Sequence, residues 1–217
     1  MGLKTGYLLT YNTIQSGIWA YALFLLVREL FITGTHEGVH SAVTPVLRVG
    51  QVFALMEIVH AATGLVRSGI FTAFVQWFAR THCLVAVVDS VPEVQGELWV
   101  TIMYAAWGIT EVVRYPWYAF STISACPGWL TWMRYTVFIP MYPFGVVAEM
   151  MLLYLALPFA KAREMYNLDM PNALNFAFDW HMFLVGGLLY YPFAWLQLYT
   201  HMFAQRKKKL SPSKKTD

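Results

Sequence analysis

Charge is scarce in this sequence. Only 12% of its 217 residues are Asp, Glu, Lys or Arg, about half the share of an ordinary soluble domain. So few charges could not coat the surface of a soluble chain of this size, which excludes a disordered chain and most soluble enzymes. Cysteine is scarcer still: Cys83 and Cys126 are the only two, and no CxxC pair occurs. A secreted disulfide scaffold, a thioredoxin-type centre and a cysteine-based zinc site are thereby excluded. Both cysteines read as small apolar packing residues. The six histidines are scattered, so an iron-binding histidine cluster and an acyltransferase His-x4-Asp are missing. Basic residues are few outside one place. Arg206, Lys207, Lys208, Lys209, Lys214 and Lys215 are six of the fifteen, leaving nine basic against eleven acidic residues over 1–205. The positive balance is a tail property. No basic face interleaved with exposed aromatics marks a nucleic-acid surface, and no nucleic-acid partner is expected.

Apolar residues make up 58% of the chain, against roughly 45–50% in soluble domains. A helix needs about 20 mainly apolar residues to cross the hydrocarbon core. Six stretches qualify, at about 13–32, 46–66, 70–90, 97–119, 129–157 and 177–204. Proline, glycine and polar clusters separate them. The expected fold is therefore all-α and integral to the lipid bilayer, with six transmembrane helices in one bundle. It forms a single membrane domain over 1–217, with a short basic cytosolic tail from about 206. No internal repeat at the half-chain period suggests the inverted repeats of a transporter. The apolar run behind Lys4 is interrupted by Arg28 and Glu29 and has no small-residue cleavage site, so it reads as a retained span, not a signal peptide.

None of the spans is free of polar residues. Glu57 and His60 lie in the second, Arg80 and His82 in the third, Glu111 and Arg114 in the fourth, and Arg134 and Glu149 in the fifth. Ionisable groups at membrane depth are costly and face the protein interior. Each alone reads as a packing partner; together they predict a polar chamber enclosed by the bundle. Orientation follows from positive charge in short loops. With six spans both termini share a side, which holds Lys4, Arg67 and the basic tail, while the opposite side holds only Lys161 and Arg163. Both termini are expected to be cytosolic. Lys214 and Lys215, third and fourth from the end, resemble a dilysine retrieval signal of endoplasmic-reticulum membrane proteins.

Glu57, His60, Gly64 and Arg67 fall at helical spacing on one face. The run from His60 through Ala61 to Arg67 and Ser68 also resembles the His-Cys-x5-Arg-Ser signature of tyrosine phosphatases. Alanine stands where the cysteine nucleophile must be, and a methyl group cannot attack phosphorus. Glu57 and Arg67 then read as members of a polar network inside a membrane helix. Glu111 and Arg114, three apart, can pair on one face, either as a structural pair or as one wall of the chamber. Tyr142 and Glu149 are seven apart, nearly two full turns, so both face one way with their Cα atoms roughly 10 Å apart. A phenol and a carboxylate so placed could bracket a two-carbon unit. Pro143 and Gly145 between them permit bending.

Taken together, several motifs in order resemble the very-long-chain (3R)-3-hydroxyacyl-CoA dehydratases, also called protein-tyrosine-phosphatase-like. They are Leu55, Met56, Glu57, Ile58, Val59 and His60 with Gly64, Leu65, Val66, Arg67 and Ser68; Thr110, Glu111, Val112, Val113, Arg114 and Tyr115; and Arg134, Tyr135, Tyr142, Pro143, Gly145 and Glu149. A later group, Glu164, Met165 and Tyr166 with Met170, Pro171, Asn172, Asn175 and Phe176, is similar to the plant, Pasticcino-type branch. The resemblance runs from about Tyr11 to Lys209. It implies a multi-pass endoplasmic-reticulum enzyme for the third step of fatty-acid elongation, removing water from a very-long-chain 3-hydroxyacyl-CoA to give the trans-2-enoyl-CoA. It implies Tyr142 and Glu149 as the catalytic pair, no metal or other cofactor, and the condensing enzyme and two reductases of elongation as partners. Glu57, His60, Arg67, Glu111, Arg114 and Arg134 are expected as a supporting polar network.

Dehydration needs a base for the C2 proton and an acid for the departing C3 hydroxyl. Glu149 is the preferred base, acting directly or through Tyr142, with Tyr142 helping the hydroxyl leave; the reverse assignment is equally allowed. An apolar tunnel in the bundle would hold the acyl chain, and Arg67 or Lys4 would meet the CoA phosphates on the cytosolic side. The competing classes are a catalytically silent adaptor of the elongation enzymes or a phosphotyrosine-protein binder, a small transporter, and a lipid enzyme of another reaction type.

Overall fold

Lipid-crossing segments must satisfy their backbone internally, and helices do so locally. The computed structural model describes residues 2–173 and 175–211; the lysine pair Lys214 and Lys215 lies outside the described residues. Seven α-helices are described: α1 Leu3–Thr33, α2 Val39–Ala62, α3 Ile70–Thr81, α4 Leu98–Thr122, α5 Gly128–Arg134, α6 Phe138–Ala162 and α7 Trp180–Leu210. A π-helical stretch, His82–Asp89, continues α3. Two left-handed glycines punctuate the first half. Gly34, at φ 68°, closes α1 with its N–H on the Leu30 carbonyl, and Gly64, at φ 69°, follows the end of α2. Asp179 caps α7 by accepting from the Met182 N–H at 2.9 Å. Lys207, Lys208 and Lys209 occupy the last turn of α7, where their charges complement the helix dipole.

Among the described residues, five segments are long and apolar enough to cross a membrane: Leu3–Thr33, Val39–Ala62, Ile70–Asp89, Gly128–Ala162 and Trp180–Leu210. The remaining expected span, 97–119, corresponds to α4. At 25 residues it has the length, but polar and charged positions lower its hydropathy. Its position explains that composition. α4 packs against α1, α2 and α6 and buries Met103, Tyr104, Trp107, Glu111 and Tyr115. Its surroundings are other helices, so it can carry polarity that a lipid-facing helix could not. By contrast α3 buries no side chain, and α7 buries only Trp180 and Leu184. Phe24, Phe31, Phe71 and Phe193 lie on the outer surface, as residues facing acyl chains would.

Two boundaries differ from expectation. α1 starts about ten residues earlier than the apolar run at 13–32. The polar residues there satisfy themselves on the helix: Asn12 donates to the Leu8 carbonyl at 2.7 Å and Thr13 to that of Leu9 at 2.8 Å. The fifth expected span is broken, with α5 and α6 separated by a turn at 135–137. At the end where α1 runs into α2, Asp89 accepts from His40 at 3.0 Å and from Arg48 at 2.7 Å. That clamp fastens α2 to the end of the π-helical stretch.

Small residues let membrane helices approach closely. A Cβ built on Gly108 would sit 2.5 Å from Leu23 Cδ2 and 2.6 Å from its Cγ, so α1 and α4 meet where only glycine fits. Gly108→Val is expected to destabilise the fold by about 1–3 kcal/mol, the usual range for overpacking. Gly17→Ala, with nothing within 4 Å, is expected not to. Thermal unfolding of the two variants in detergent checks this, and equal midpoints would refute the close approach.

Candidate active site

Tyr142 and Glu149 both stand on α6, in a stretch that carries Pro143 inside the helix. Gly145 lies between them, and a Cβ there would lie 3.5 Å from that of Ala106, so α6 sits close against α4. Glu149 is buried, 8% exposed. Both of its oxygens have partners. Oε1 accepts from the Trp107 indole Nε1 on α4 at 2.7 Å. Oε2 accepts from the Tyr191 hydroxyl on α7. Tyr142 is half-buried and its ring stacks on Tyr199 at 5.8 Å, which in turn stacks on Trp195 at 5.2 Å. Tyr199 is itself anchored by its hydroxyl on the Ile139 carbonyl at 2.9 Å. Among the described residues the Tyr142 hydroxyl has no hydrogen-bond partner and is available to a ligand.

A second set of charges adjoins this pair. Glu111 is fully buried between two arginines. Arg80, from α3, donates to its Oε1, and Arg114 Nε lies 2.6 Å from its Oε2. Arg114 also reaches α2, donating to Glu57 Oε1 at 3.2 Å. Tyr115 donates to the same Glu57 oxygen at 2.5 Å and accepts from Arg114 at 3.0 Å and from Gln15 of α1 at 3.1 Å. The result is an alternating row, Glu57–Arg114–Glu111–Arg80, with two charges of each sign. Arg80 then lies over the Trp107 ring at 5.3 Å, and Trp107 holds Glu149. One seam thus runs from α2 through α4 and α3 to α6. Isolated charges would be prohibitive at this depth; paired in sequence they are tolerated.

The other expected members fall elsewhere. His60 is buried, but its ring faces the Tyr7 hydroxyl at 2.8 Å and the Tyr11 ring at 4.8 Å, not the arginines. With Lys4, Tyr7, Met56, Val59 and Thr63 it lines a cavity of about 830 Å³ at the start of α1, which does not include Tyr142 or Glu149. Arg67 corrects the expectation of one helix face shared with Glu57. α2 stops at Ala62, the backbone at Gly64 turns left-handed, and Arg67 is exposed in the loop that follows. Arg134 ends α5 beneath the Tyr118 and Tyr135 rings, at 6.0 and 5.8 Å; among the described residues it makes no ion pair. Residues outside the expected network join it, among them Tyr115 and Gln15 and three more: Arg80, Trp107 and Tyr191. Arg80 was visible as a charge in an apolar run, and Trp107 sits one turn before Glu111. Tyr191 carried no signal, being one aromatic among many.

The family model for the protein tyrosine phosphatase-like proteins, PTPLA, matches residues 51–212. Among curated proteins, the chain is 38% identical over 209 residues to very-long-chain (3R)-3-hydroxyacyl-CoA dehydratase 2 of Mus musculus, covering 96% of this chain and 82% of that one. It is 38% identical over 210 residues to the very-long-chain (3R)-3-hydroxyacyl-CoA dehydratase PASTICCINO 2 of Arabidopsis thaliana, covering 96% and 95%. The plant branch expected from residues 164–176 is thus among the relatives, at the same 38% identity as the mouse protein. No solved structure matches the chain at a significant level.

Removing one partner of a buried ion pair leaves the others uncompensated, at a cost of about 3–5 kcal/mol. Glu111→Gln, which strands Arg80 and leaves Arg114 only Glu57, is expected to destabilise the protein by that order. Arg67→Ala is expected to change stability by less than about 0.5 kcal/mol, as at exposed sites. Thermal unfolding of both variants checks the contrast; a harmless Glu111→Gln would contradict the described row of charges.

Proposed function

The chain belongs to the protein tyrosine phosphatase-like family, and on that premise we propose that it is a very-long-chain 3-hydroxyacyl-CoA dehydratase, a hydro-lyase that forms the trans-2-enoyl-CoA in fatty-acid elongation. One observation carries the site assignment. A buried carboxylate, Glu149, and a tyrosine with an uncommitted hydroxyl, Tyr142, share one helix nearly two turns apart. They are the two groups that the reaction requires. Phosphatase chemistry has no nucleophile here, because the position before the loop is Ala61, whose side chain is buried at the end of α2.

The thioester carbonyl makes the C2 hydrogen acidic. Glu149 takes that proton, the C2–H electron pair becomes the C2=C3 π bond, and the C3–O bond breaks. Tyr142 gives its hydroxyl proton to the departing oxygen, which leaves as water. The proton on Glu149 then restores Tyr142, so the enzyme ends as it began. Tyr142 suits the acid role because no protein acceptor holds its hydroxyl. The acyl chain lies among the helices, where each buried methylene contributes about 0.8 kcal/mol.

We count α4 as the sixth crossing, which makes Glu57, Arg114, Glu111, Arg80 and Glu149 the lining of a polar chamber. Six crossings put Lys4, Arg67 and the basic end of α7 on one side and Lys161 and Arg163 on the other. By the positive-inside rule that side is cytosolic. The endoplasmic-reticulum membrane as the location, one membrane domain, and the condensing enzyme and reductases as partners belong to the same proposal and rest on the family resemblance.

Purified protein in detergent is expected to dehydrate a long-chain (3R)-3-hydroxyacyl-CoA. Positioned acids and bases contribute about 10²–10⁴-fold, so Tyr142→Phe and Glu149→Gln should each lower kcat/KM by at least about 100-fold with unchanged thermal unfolding. Full activity in either variant would overturn the site assignment. No turnover by well-folded wild type would overturn the function.

A further inference from the structure

The two donors on Glu149 differ in kind. Trp107 projects from α4, the most enclosed helix, and its Nε1–H can only donate. It fixes Oε1 at 2.7 Å. Tyr191 projects from α7, which packs on α6, between neighbours that turn outward: Tyr190 is 66% and Phe193 73% exposed. Tyr191 alone among these neighbours turns inward, half-buried, with its hydroxyl on Oε2. The next residue, Pro192, lies inside the helix and has no N–H to offer the preceding turn. An outward-facing stretch of α7 thus sends one polar group to the reacting carboxylate.

A carboxylate on a glutamate stem rotates broadly about its last torsion. One hydrogen bond leaves that rotation open, whereas two on opposite oxygens from two different helices close it. Proton transfer needs a heavy-atom separation of about 2.6–3.2 Å, so a freely rotating carboxylate would seldom present an oxygen to C2. We propose that Tyr191 is a positioning residue that, with Trp107, locks the Glu149 carboxylate in the orientation that meets the substrate. This rests on the dehydratase reading above. Tyr191 gains and loses no proton in the step; the C2 proton passes to Glu149 and the leaving oxygen takes its proton from Tyr142, as written.

The test compares wild type with Tyr191→Phe, Trp107→Phe, Glu149→Gln and the double variant Tyr191→Phe/Glu149→Gln. The lipid-facing Tyr190→Phe serves as control. Misplacement of a reacting group costs up to about 100-fold. Tyr191→Phe is therefore expected to lower kcat by about 10–100-fold with KM and thermal midpoint unchanged, and Tyr190→Phe to do nothing. In the double variant Tyr191→Phe should add no further loss to that of Glu149→Gln. A second readout is independent of turnover: the rate at which dicyclohexylcarbodiimide, a carboxyl reagent that enters membranes, labels Glu149, followed by peptide mass. Freeing Oε2 is expected to raise that rate in Tyr191→Phe. Wild-type kcat with a wild-type labelling rate would overturn the proposal. So would a loss of kcat accompanied by a lowered thermal midpoint and unchanged labelling, which marks a structural role. If wild type fails to turn over the acyl-CoA, the dehydratase reading falls, and the labelling rate alone decides whether Tyr191 holds Glu149.

Discussion

Glu111 sits with no solvent exposure between Arg80 and Arg114, and the rest of the interior is arranged around that contact. A full charge at such depth has to be answered by protein groups, because neither lipid nor bulk water is at hand. Arg114 carries the compensation outward to Glu57 on α2. Arg80 carries it the other way, across the Trp107 ring toward Glu149. The demand for neutrality therefore ties α2, α3, α4 and α6 into one unit. It also explains how α4, the most enclosed helix, can carry Glu111 and Arg114.

Chemistry and architecture meet at Trp107. Its ring face receives the Arg80 guanidinium at 5.3 Å, and its N–H holds Glu149 at 2.7 Å. One side chain thereby joins a neutral, fully paired row of charges to a carboxylate with catalytic potential. Within the row every carboxylate faces an arginine. The uncommitted hydroxyl belongs to Tyr142, whose ring is held in place by a stack with Tyr199 and Trp195. A rigid support beside an unsatisfied reactive group is the division that acid–base chemistry favours, since positioning supplies much of the rate.

Much of this was legible in the residues, and the failures have physical causes. Glu57, Glu111 and Arg114 stood out because charges in apolar runs must find one another, and they do. Tyr142 and Glu149 stood out by spacing and by resemblance. Arg67 misled because the spacing of Glu57, His60, Gly64 and Arg67 fits a helix, while Gly64 can adopt the left-handed backbone that ends one. α1 begins about ten residues before the apolar run at 13–32, because Asn12 looks unsuited to a span until its hydrogen bond to the preceding turn is seen. Trp107 and Tyr191 were hidden in a chain that is 17% aromatic. Which aromatic meets a carboxylate depends on how distant helices dock, and no local pattern records that.

The most direct measurement of the central claim follows the C2 hydrogen itself. Protein in proteoliposomes would receive a long-chain (3R)-3-hydroxyacyl-CoA carrying two deuterons at C2, with the enoyl product analysed by mass. The account predicts a product that has lost one deuteron and kept the other, formed by wild type and not by folded Glu149→Gln. The same product at the same rate from Glu149→Gln would contradict the claim that this buried carboxylate removes the proton.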